Sequence, residues 1–186
     1  NAFHLLEETA PDGSVTSYAY YPDGMLKSVT RGDAYTFIEY DHFNRRHRVK
    51  KYFGPAETEC TVEVTEYDLL NRIIEERIES GEGTILRKKE YGYDHRGNKT
   101  QEVLWGEYGP QITFTEYDSL ARPIKVTDAN RNVTHTTYID RHLNAFGQHV
   151  LLIEVTLPNG VIITKEHDTM NRVIHVEYFN CFNQLV

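Results

Sequence analysis

The element Tyr-Asp-x-x-Asn-Arg recurs along the chain, and no other feature restricts the fold as strongly. It stands whole as Tyr40-Asp41-His42-Phe43-Asn44-Arg45 and as Tyr67-Asp68-Leu69-Leu70-Asn71-Arg72. Variants follow at Tyr93-Asp94-His95-Arg96-Gly97, Tyr117-Asp118-Ser119-Leu120-Ala121-Arg122 and His167-Asp168-Thr169-Met170-Asn171-Arg172. Weaker copies stand at Tyr20-Tyr21-Pro22-Asp23-Gly24-Met25 and Phe179-Asn180-Cys181-Phe182-Asn183-Gln184. With second residues at 21, 41, 68, 94, 118, 168 and 180, the steps are 20, 27, 26, 24, 50 and 12 residues. The 50-residue step holds a degenerate copy near Tyr138-Ile139-Asp140. Self-similarity at about 20–50 residues marks a repeat architecture. It argues against a one-site enzyme, because every copy puts the same residues to the same structural job.

The position three residues after each second residue is Gly24, Asn44, Asn71, Gly97, Ala121, Asn171 or Asn183. Gly and Asn are the residues that tolerate positive φ. An Asp three places earlier accepts backbone N–H bonds and closes an Asx-type turn. The element therefore reads as a hairpin turn of about four residues. The flanking segments, such as 61–67, 112–117 and 172–178, alternate with period two and are rich in β-branched and aromatic residues.

Val62 and Val64 share one strand face, and Thr61, Thr65 and Tyr67 the other; Ile112 and Phe114 oppose Thr113, Thr115 and Tyr117 in the same phase. This predicts one aliphatic face and one on which each strand ends in a Tyr with a wet hydroxyl. A one-residue slip would exchange the faces, so the Tyr and the turn together fix the register. The Arg after each turn lies near the turn Asp, a pair worth little if exposed.

Second turns separate the repeats at Pro11-Asp12-Gly13-Ser14, Ser80-Gly81-Glu82-Gly83, Asp128-Ala129-Asn130-Arg131-Asn132 and Pro158-Asn159-Gly160. Each repeat then holds two strands, and the chain about sixteen in about eight repeats. Open twisted sheets rarely exceed about ten strands without curling, so a curved antiparallel wall is expected.

The chain starts at Asn1 without a signal-like apolar stretch, and its last copy stops within a strand. Terminal repeats usually carry polar caps, and none is recognised, so the 186 residues read as an internal piece of a longer array. No apolar run approaches the ~18 residues of a membrane helix. A net charge of -8 argues against nucleic acid as the main partner. Arg45-Arg46-His47-Arg48-Val49-Lys50-Lys51 is the local exception, and it reads as a solvated strand with alternating charge rather than a polyanion patch. Cys60 and Cys181 read as two small buried or semi-exposed residues, and their spacing does not decide whether they pair.

No H-E-x-x-H, Gly-rich phosphate loop or G-x-S-x-G elbow occurs. The nine His are scattered, and Asn144-Ala145-Phe146-Gly147 interrupts any metal face between His142 and His149. Asp128–Asn132 imitates the start of a calcium loop but has Val133 where that loop needs Gly and Ile139 where it needs Glu, so it reads as a polar turn. The turn aspartates Asp41, Asp68, Asp94, Asp118 and Asp168 recur with the same neighbours and read as structural. Arg31-Gly32-Asp33 matches an integrin-binding tripeptide at chance level. Asn98-Lys99-Thr100 and Asn132-Val133-Thr134 are glycosylation acceptors only along a eukaryotic secretory route. No catalytic residue, cofactor or metal site is expected.

The recurring turns, together with Asp12-Gly13-Ser14-Val15-Thr16-Ser17-Tyr18 and the segment from Tyr21 to Thr30, closely resemble the YD repeats of the Rhs family. Asp128–Thr134 is similar to the family's inter-repeat stretch. The resemblance covers about residues 7–186, and departs at Tyr138-Ile139-Asp140 and at Ala121. It implies an all-β array of tandem hairpins forming part of a hollow spiral shell. In bacterial polymorphic toxins that shell encloses a variable C-terminal toxin released by self-cleavage; insect-toxin C components and animal teneurins share the repeat. No Asp-Pro-x-Gly core motif is present here. The expected role is a shell segment without catalysis, with the rest of the shell and its toxin as partners, and a secretion-system component or cell-surface glycan as a further one. The parent protein would be made in the bacterial cytoplasm and secreted or held at the envelope. The alternative is a teneurin-like adhesion or glycan-binding shell, supported by the Tyr rows and residues 45–51.

Overall fold

The computed structural model describes residues 4–54, 59–180, 182, 184 and 185. The described elements are all strands. They are β1 (Glu7–Thr9), β2 (Val15–Tyr20), β3 (Leu26–Arg31), β4 (Ala34–Tyr40), β5 (Arg46–Tyr52), β6 (Cys60–Tyr67), β7 (Ile73–Ser80) and β8 (Ile85–Tyr93). There follow β9 (Lys99–Gly106), β10 (Gly109–Tyr117), β11 (Pro123–Thr127), β12 (Val133–Leu143), β13 (His149–Thr156), β14 (Ile162–His167) and β15 (Val173–Phe179). Sheet order equals chain order. Fifteen strands are described against the sixteen expected; the single pair Phe179↔Leu185 is all there is of a sixteenth among the described residues.

Two compact units divide the chain. One comprises Asn1–Tyr91 with Leu104–Pro110, the other Gly92–Val103 with Gln111–Val186. Within each, consecutive strands pair antiparallel, because the connecting turns hold too few residues for a parallel crossover. The register breaks once at most turns of the Tyr-Asp type. Lys27, His47 and Ile74 in the first unit, and Ile124 and Ile174 in the second, each stand as one extra residue opposite an unbroken partner strand. Such β-bulges bend a strand and raise its local twist.

Apolar burial is sparse. The buried hydrophobic residues are Ile38, Cys60, Val62, Val64, Val103 and Val150. The one cluster of buried hydrophobic residues among the described residues lies along one face of β6, at Cys60, Val62 and Val64. Beside Val62 and Val64 stand Lys50 and Arg48 on β5, and Glu79 and Arg77 on β7. Lys50 Nζ reaches Glu39 at 3.2 Å, and Arg48 reaches Glu79 at 3.7 Å. Arg77 holds Glu79 at 2.6 Å and Glu75 at 2.5 Å, and Lys88 holds Glu75 at 2.9 Å and Glu90 at 2.8 Å. The Arg48–Glu79 pair joins β5 to β7 above β6, so charged side chains roof the valines with their aliphatic stems. Val64 is thereby 1% exposed without a second layer. Burial alone would push the Glu75 carboxyl upward, but the bonds from Lys88 and Arg77 outweigh it and hold it below the ordinary glutamate value.

Candidate functional site

The feature that recurs with full geometry is the turn, and it is built on one acidic hub. In residues 41–45 the Asp41 N–H donates to the Arg45 carbonyl at 2.9 Å, and the Asn44 N–H to the Asp41 carbonyl at 3.0 Å. Asp41 Oδ1 accepts the N–H groups of Phe43 and Arg45, and Oδ2 accepts Arg45 Nε at 2.7 Å. Asn44 takes φ 62. This is a three-residue loop closed by a residue in the left-handed region. Asp68/Arg72, Asp118/Arg122 and Asp168/Arg172 repeat every one of these bonds, with Asn71 at φ 64, Ala121 at φ 60 and Asn171 at φ 61. Asp94 keeps the plan with Asn98 in place of Arg and Gly97 at φ 92.

The separating turns use the same backbone. Asp128 and Asn132 form a full hub, with Arg131 at φ 66, where neither Gly nor Asn announced the conformation. In the separating turns Pro11-Asp12-Gly13 and Pro158-Asn159-Gly160, and in the weaker repeat copy at Pro22-Asp23-Gly24, the hub has moved two places on. Asp12, Asp23 and Asn159 each accept the N–H two residues later, and Gly13, Gly24 and Gly160 take positive φ. Proline pre-sets φ at the first residue of each of these loops.

The degenerate copy is not at Tyr138-Ile139-Asp140. Its hub is Asn144, whose Oδ1 accepts the N–H groups of Phe146 and Gln148, with Gly147 at φ 70. Hubs at 118, 144 and 168 divide the 50-residue step into 26 and 24. Two facts hid it. The hub is Asn rather than Asp, so its partner is Gln148 and the donor is Asn144 Nδ2. Five residues also separate Tyr138 from the hub, and the bulge lies on the incoming strand, with Arg141 at φ 60. The 12-residue step has another cause: Asn180 is a separating turn one strand after Asp168, at the opposite strand end. Asn183 lies outside the described residues.

The tyrosines and arginines join one repeat to the next. Tyr40 Oη donates to the Leu26 carbonyl at 3.0 Å, and Tyr67 Oη to that of Arg46 at 3.1 Å. In the second unit, Tyr117 Oη reaches the Lys99 carbonyl at 2.8 Å and Tyr138 Oη that of Pro123 at 3.2 Å. Every acceptor stands five residues after a turn's first residue: 21, 41, 94 and 118. The strand ladder between repeats stops short of it, at Ser28↔Phe37, Arg48↔Val64 and Lys125↔His135 where these pairs are recorded. The hydroxyl satisfies a carbonyl that the ladder leaves open. Arg45 then lies 4.5 Å from the Tyr67 ring centre and donates to the Asp68 carbonyl, while Arg122 lies 4.3 Å from the Tyr138 ring and reaches Asp140. Arg96 donates to the Ser119 carbonyl at 3.2 Å.

His167 stands where other copies have Tyr. There the β13–β14 ladder continues to Leu151↔His167, so it leaves no such gap beneath the side chain. The bulge that other copies carry after the turn is absent from β13, having moved to β12.

The turn carboxylates are held below the ordinary aspartate value. At Asp68, Asp118 and Asp168 the backbone N–H of the following Arg contributes most, and at Asp94 and Asp128 the Asn side chain does. Both sequon asparagines, Asn98 and Asn132, donate their Nδ2 to these carboxylates, so a glycan there would replace a turn bond.

Within 45–51, Arg45 is held by Asp41, Arg48 by Glu39 and Glu79, Lys50 by Glu39, and Lys51 by Glu63. Carboxylates thus neutralise most of the basic cluster. Gly32-Asp33 forms an exposed two-residue hairpin loop with Gly32 at φ 56, and Arg31, which ends β3, donates to Ser14 Oγ. No group of three or more His, Cys, Asp or Glu able to hold a metal ion occurs among the described residues. Cys60 is buried, and Cys181 lies outside the described residues.

No family model matches the chain, and no curated protein does. Among solved structures it is similar to a chain in the crystal structure of TcdB2-TccC3-Cdc42, at 15% identity over 98% of this chain and 10% of that one, with a TM-score of 0.55. It is also similar to a chain of the Photorhabdus luminescens Tc holotoxin pore, at 15% identity over 97% and 9%, TM-score 0.55. At that identity the likeness shows the fold, and the chain spans about a tenth of each of those chains. The tandem-hairpin fold that the YD-repeat resemblance implies is the fold that is found.

Proposed function

We propose that this chain is a wall segment of an Rhs-type shell, without catalysis of its own, in a parent protein that encloses a C-terminal toxin. The Tyr-to-carbonyl link carries the reading. It uses the recurrent polar residues to join each repeat to the one before, which extends a sheet. Tc toxin chains sharing the fold support it. In this reading the partners are the remaining shell and its toxin, no cofactor is needed, and the parent is secreted or envelope-associated after synthesis in the bacterial cytoplasm. The pairing of Arg48, Lys50 and Lys51 with carboxylates weighs against residues 45–51 as the basis of the glycan-binding alternative.

The test is an intact-mass spectrum of the full-length native gene product, before and after denaturation. The expected result is a long chain plus a discrete C-terminal fragment that stays with it until denaturation. A single uncleaved chain would overturn the toxin-shell reading.

A further inference from the structure

We propose that the cleft walled by Tyr21, Met25 and Tyr40 binds a guanidinium group from outside the chain, carried on an arginine side chain of a partner polypeptide. The inference stands on the internal geometry of the repeats and not on the proposed shell role.

Two repeats show how the chain itself fills this place. Arg45, four residues after the hub Asp41, lies 4.5 Å from the Tyr67 ring centre and donates to the Asp68 carbonyl at 3.0 Å. Arg122, four residues after Asp118, lies 4.3 Å from the Tyr138 ring centre. Where Asn98 takes the arginine's place after Asp94, Arg96 still reaches the next turn, at the Ser119 carbonyl. At Tyr40 the place belongs to Met25. The turn closes the same backbone ring, with the Tyr21 N–H donating to the Met25 carbonyl at 2.8 Å. Both members of the ion pair have changed, however: Tyr21 stands for the Asp, and Met25 for the Arg.

The groups that receive an arginine elsewhere are nonetheless assembled here. Tyr40 Oη donates to the Leu26 carbonyl at 3.0 Å, and Tyr21 Oη to that of Ile38 at 2.8 Å, so both rings are fixed. The rings meet edge to face, with centres 6.1 Å apart. With Asp23, Met25, Glu39 and Asp41 they line a cleft of about 310 Å³. The Asp41 carbonyl corresponds to the Asp68 carbonyl that accepts from Arg45. Arg45 holds the Asp41 carboxylate and Lys50 that of Glu39, so exposed Asp23 supplies the counter-charge.

The electrostatics favour a cation. Burial raises the Tyr21 hydroxyl above its ordinary value, and the negative charge of Glu39 and, less, of Asp23 raises it further. The chain's own Lys27 is already drawn to this wall. It is exposed, and its Nζ stands 5.7 Å from the Tyr21 ring centre, near the outer limit of a cation–π contact. Guanidinium fits better than ammonium, because its plane can lie on a ring while its N–H edge donates to a carbonyl or carboxylate.

The experiment titrates the 186-residue chain with N-acetyl-arginine amide, at an ionic strength of about 0.15 M to screen the net charge of -8. Calorimetry measures affinity, and carbon-13 methyl signals of the two methionines, Met25 and Met170, locate the site. The expected result is a saturable shift of the Met25 methyl and none at Met170. N-acetyl-citrulline amide, the neutral isostere, should bind about 10-fold more weakly or less. Free L-arginine should also bind more weakly than the capped form, because its own carboxylate meets Asp23 and Glu39. Met25→Arg supplies the chain's own guanidinium; it should abolish binding and raise the thermal midpoint. The citrulline comparison uses the unaltered protein, so a folding defect in the variant cannot imitate it. Methyl signals that shift together, equal affinity for the citrulline derivative, tighter binding of free L-arginine, or undiminished binding by folded Met25→Arg would overturn the proposal.

Discussion

The hydroxyl of Tyr67 donates to the carbonyl oxygen of Arg46 at 3.1 Å, across twenty-one residues of chain. The ladder between β5 and β6 ends at Arg48↔Val64, so it pairs that residue with nothing on β6. The Tyr67 ring also supports the Arg45 guanidinium, itself fixed by Asp41. One side chain thus ties the turn of one repeat to the strand of the next.

Tyr67→Phe keeps the ring and deletes the bond. It should lower stability by about 0.5–1.5 kcal/mol, the net worth of one hydrogen bond. Tyr67→Leu should cost more, because the cation–π contact goes too. Chemical denaturation of the two variants beside the parent decides it; identical midpoints for the parent and Phe forms would refute the link.

Asn71 at φ 64 and Ala121 at φ 60 set opposite expectations. Asn71→Val should destabilise by about 1–2 kcal/mol, because a branched Cβ is costly in the left-handed region. Ala121→Gly should stabilise by about 0.5–1 kcal/mol, since glycine takes that conformation freely but loses more entropy on folding. Thermal midpoints moving the same way in both variants would contradict this account.

Asp168 with Arg172, and Asn144 with Gln148, are two chemical solutions to one turn. Asp168→Asn and Arg172→Gln should each lower the thermal midpoint, and the double variant should lie closer to the parent than the two losses added together. A double-mutant cycle measures the coupling. Additive losses would show that the residues do not act as a pair.

Acid should weaken the fold late and steeply. The hub carboxylates have folded-state values below their unfolded ones, by backbone N–H bonds first at Asp68, Asp118 and Asp168. Groups depressed in this direction contribute fully above the unfolded value of about 3.9, and lose that contribution as pH falls through the folded values. Thermal midpoints should stay nearly flat from about pH 7 to 5 and drop below about 4. A large loss already between pH 7 and 5 would mean that other groups control acid unfolding.

His167→Tyr, which would restore the repeat's common residue, should bring no gain. The ladder already reaches Leu151↔His167, so the added hydroxyl meets no open carbonyl of the kind that Tyr67 satisfies. A rise in midpoint of several degrees would show that the ladder is weaker there than its register implies.

Much of the turn chemistry was legible before any coordinates. Asp41, Asp68, Asp94 and Asp118 were identified as hubs, and Asn44, Asn71, Gly97 and Asn171 as left-handed positions, because the turn's bonds close within five residues. Arg131 escaped notice because its residue type carries no such signal; Asp128 and Asn132 hold it there. Asn144 escaped because this hub lies six residues beyond Tyr138 instead of directly after a tyrosine.

The faces were the larger miss. Alternation in β6 does separate Val62 and Val64 from Thr61 and Thr65. It says nothing of the residues opposite them, which are Arg48, Lys50, Arg77 and Glu79. Whether a valine is covered by another valine or by an ion pair depends on two neighbouring strands and their bulges. The sequence by itself determined where the chain turns and which residues lie on each side of a strand, because those choices are made by φ preferences and bonds spanning four residues. Only the tertiary structure decided which carbonyl each tyrosine reaches, on which strand each bulge lies and what roofs the valines, because those partners stand 12 to 21 residues apart and their meeting depends on every register between them.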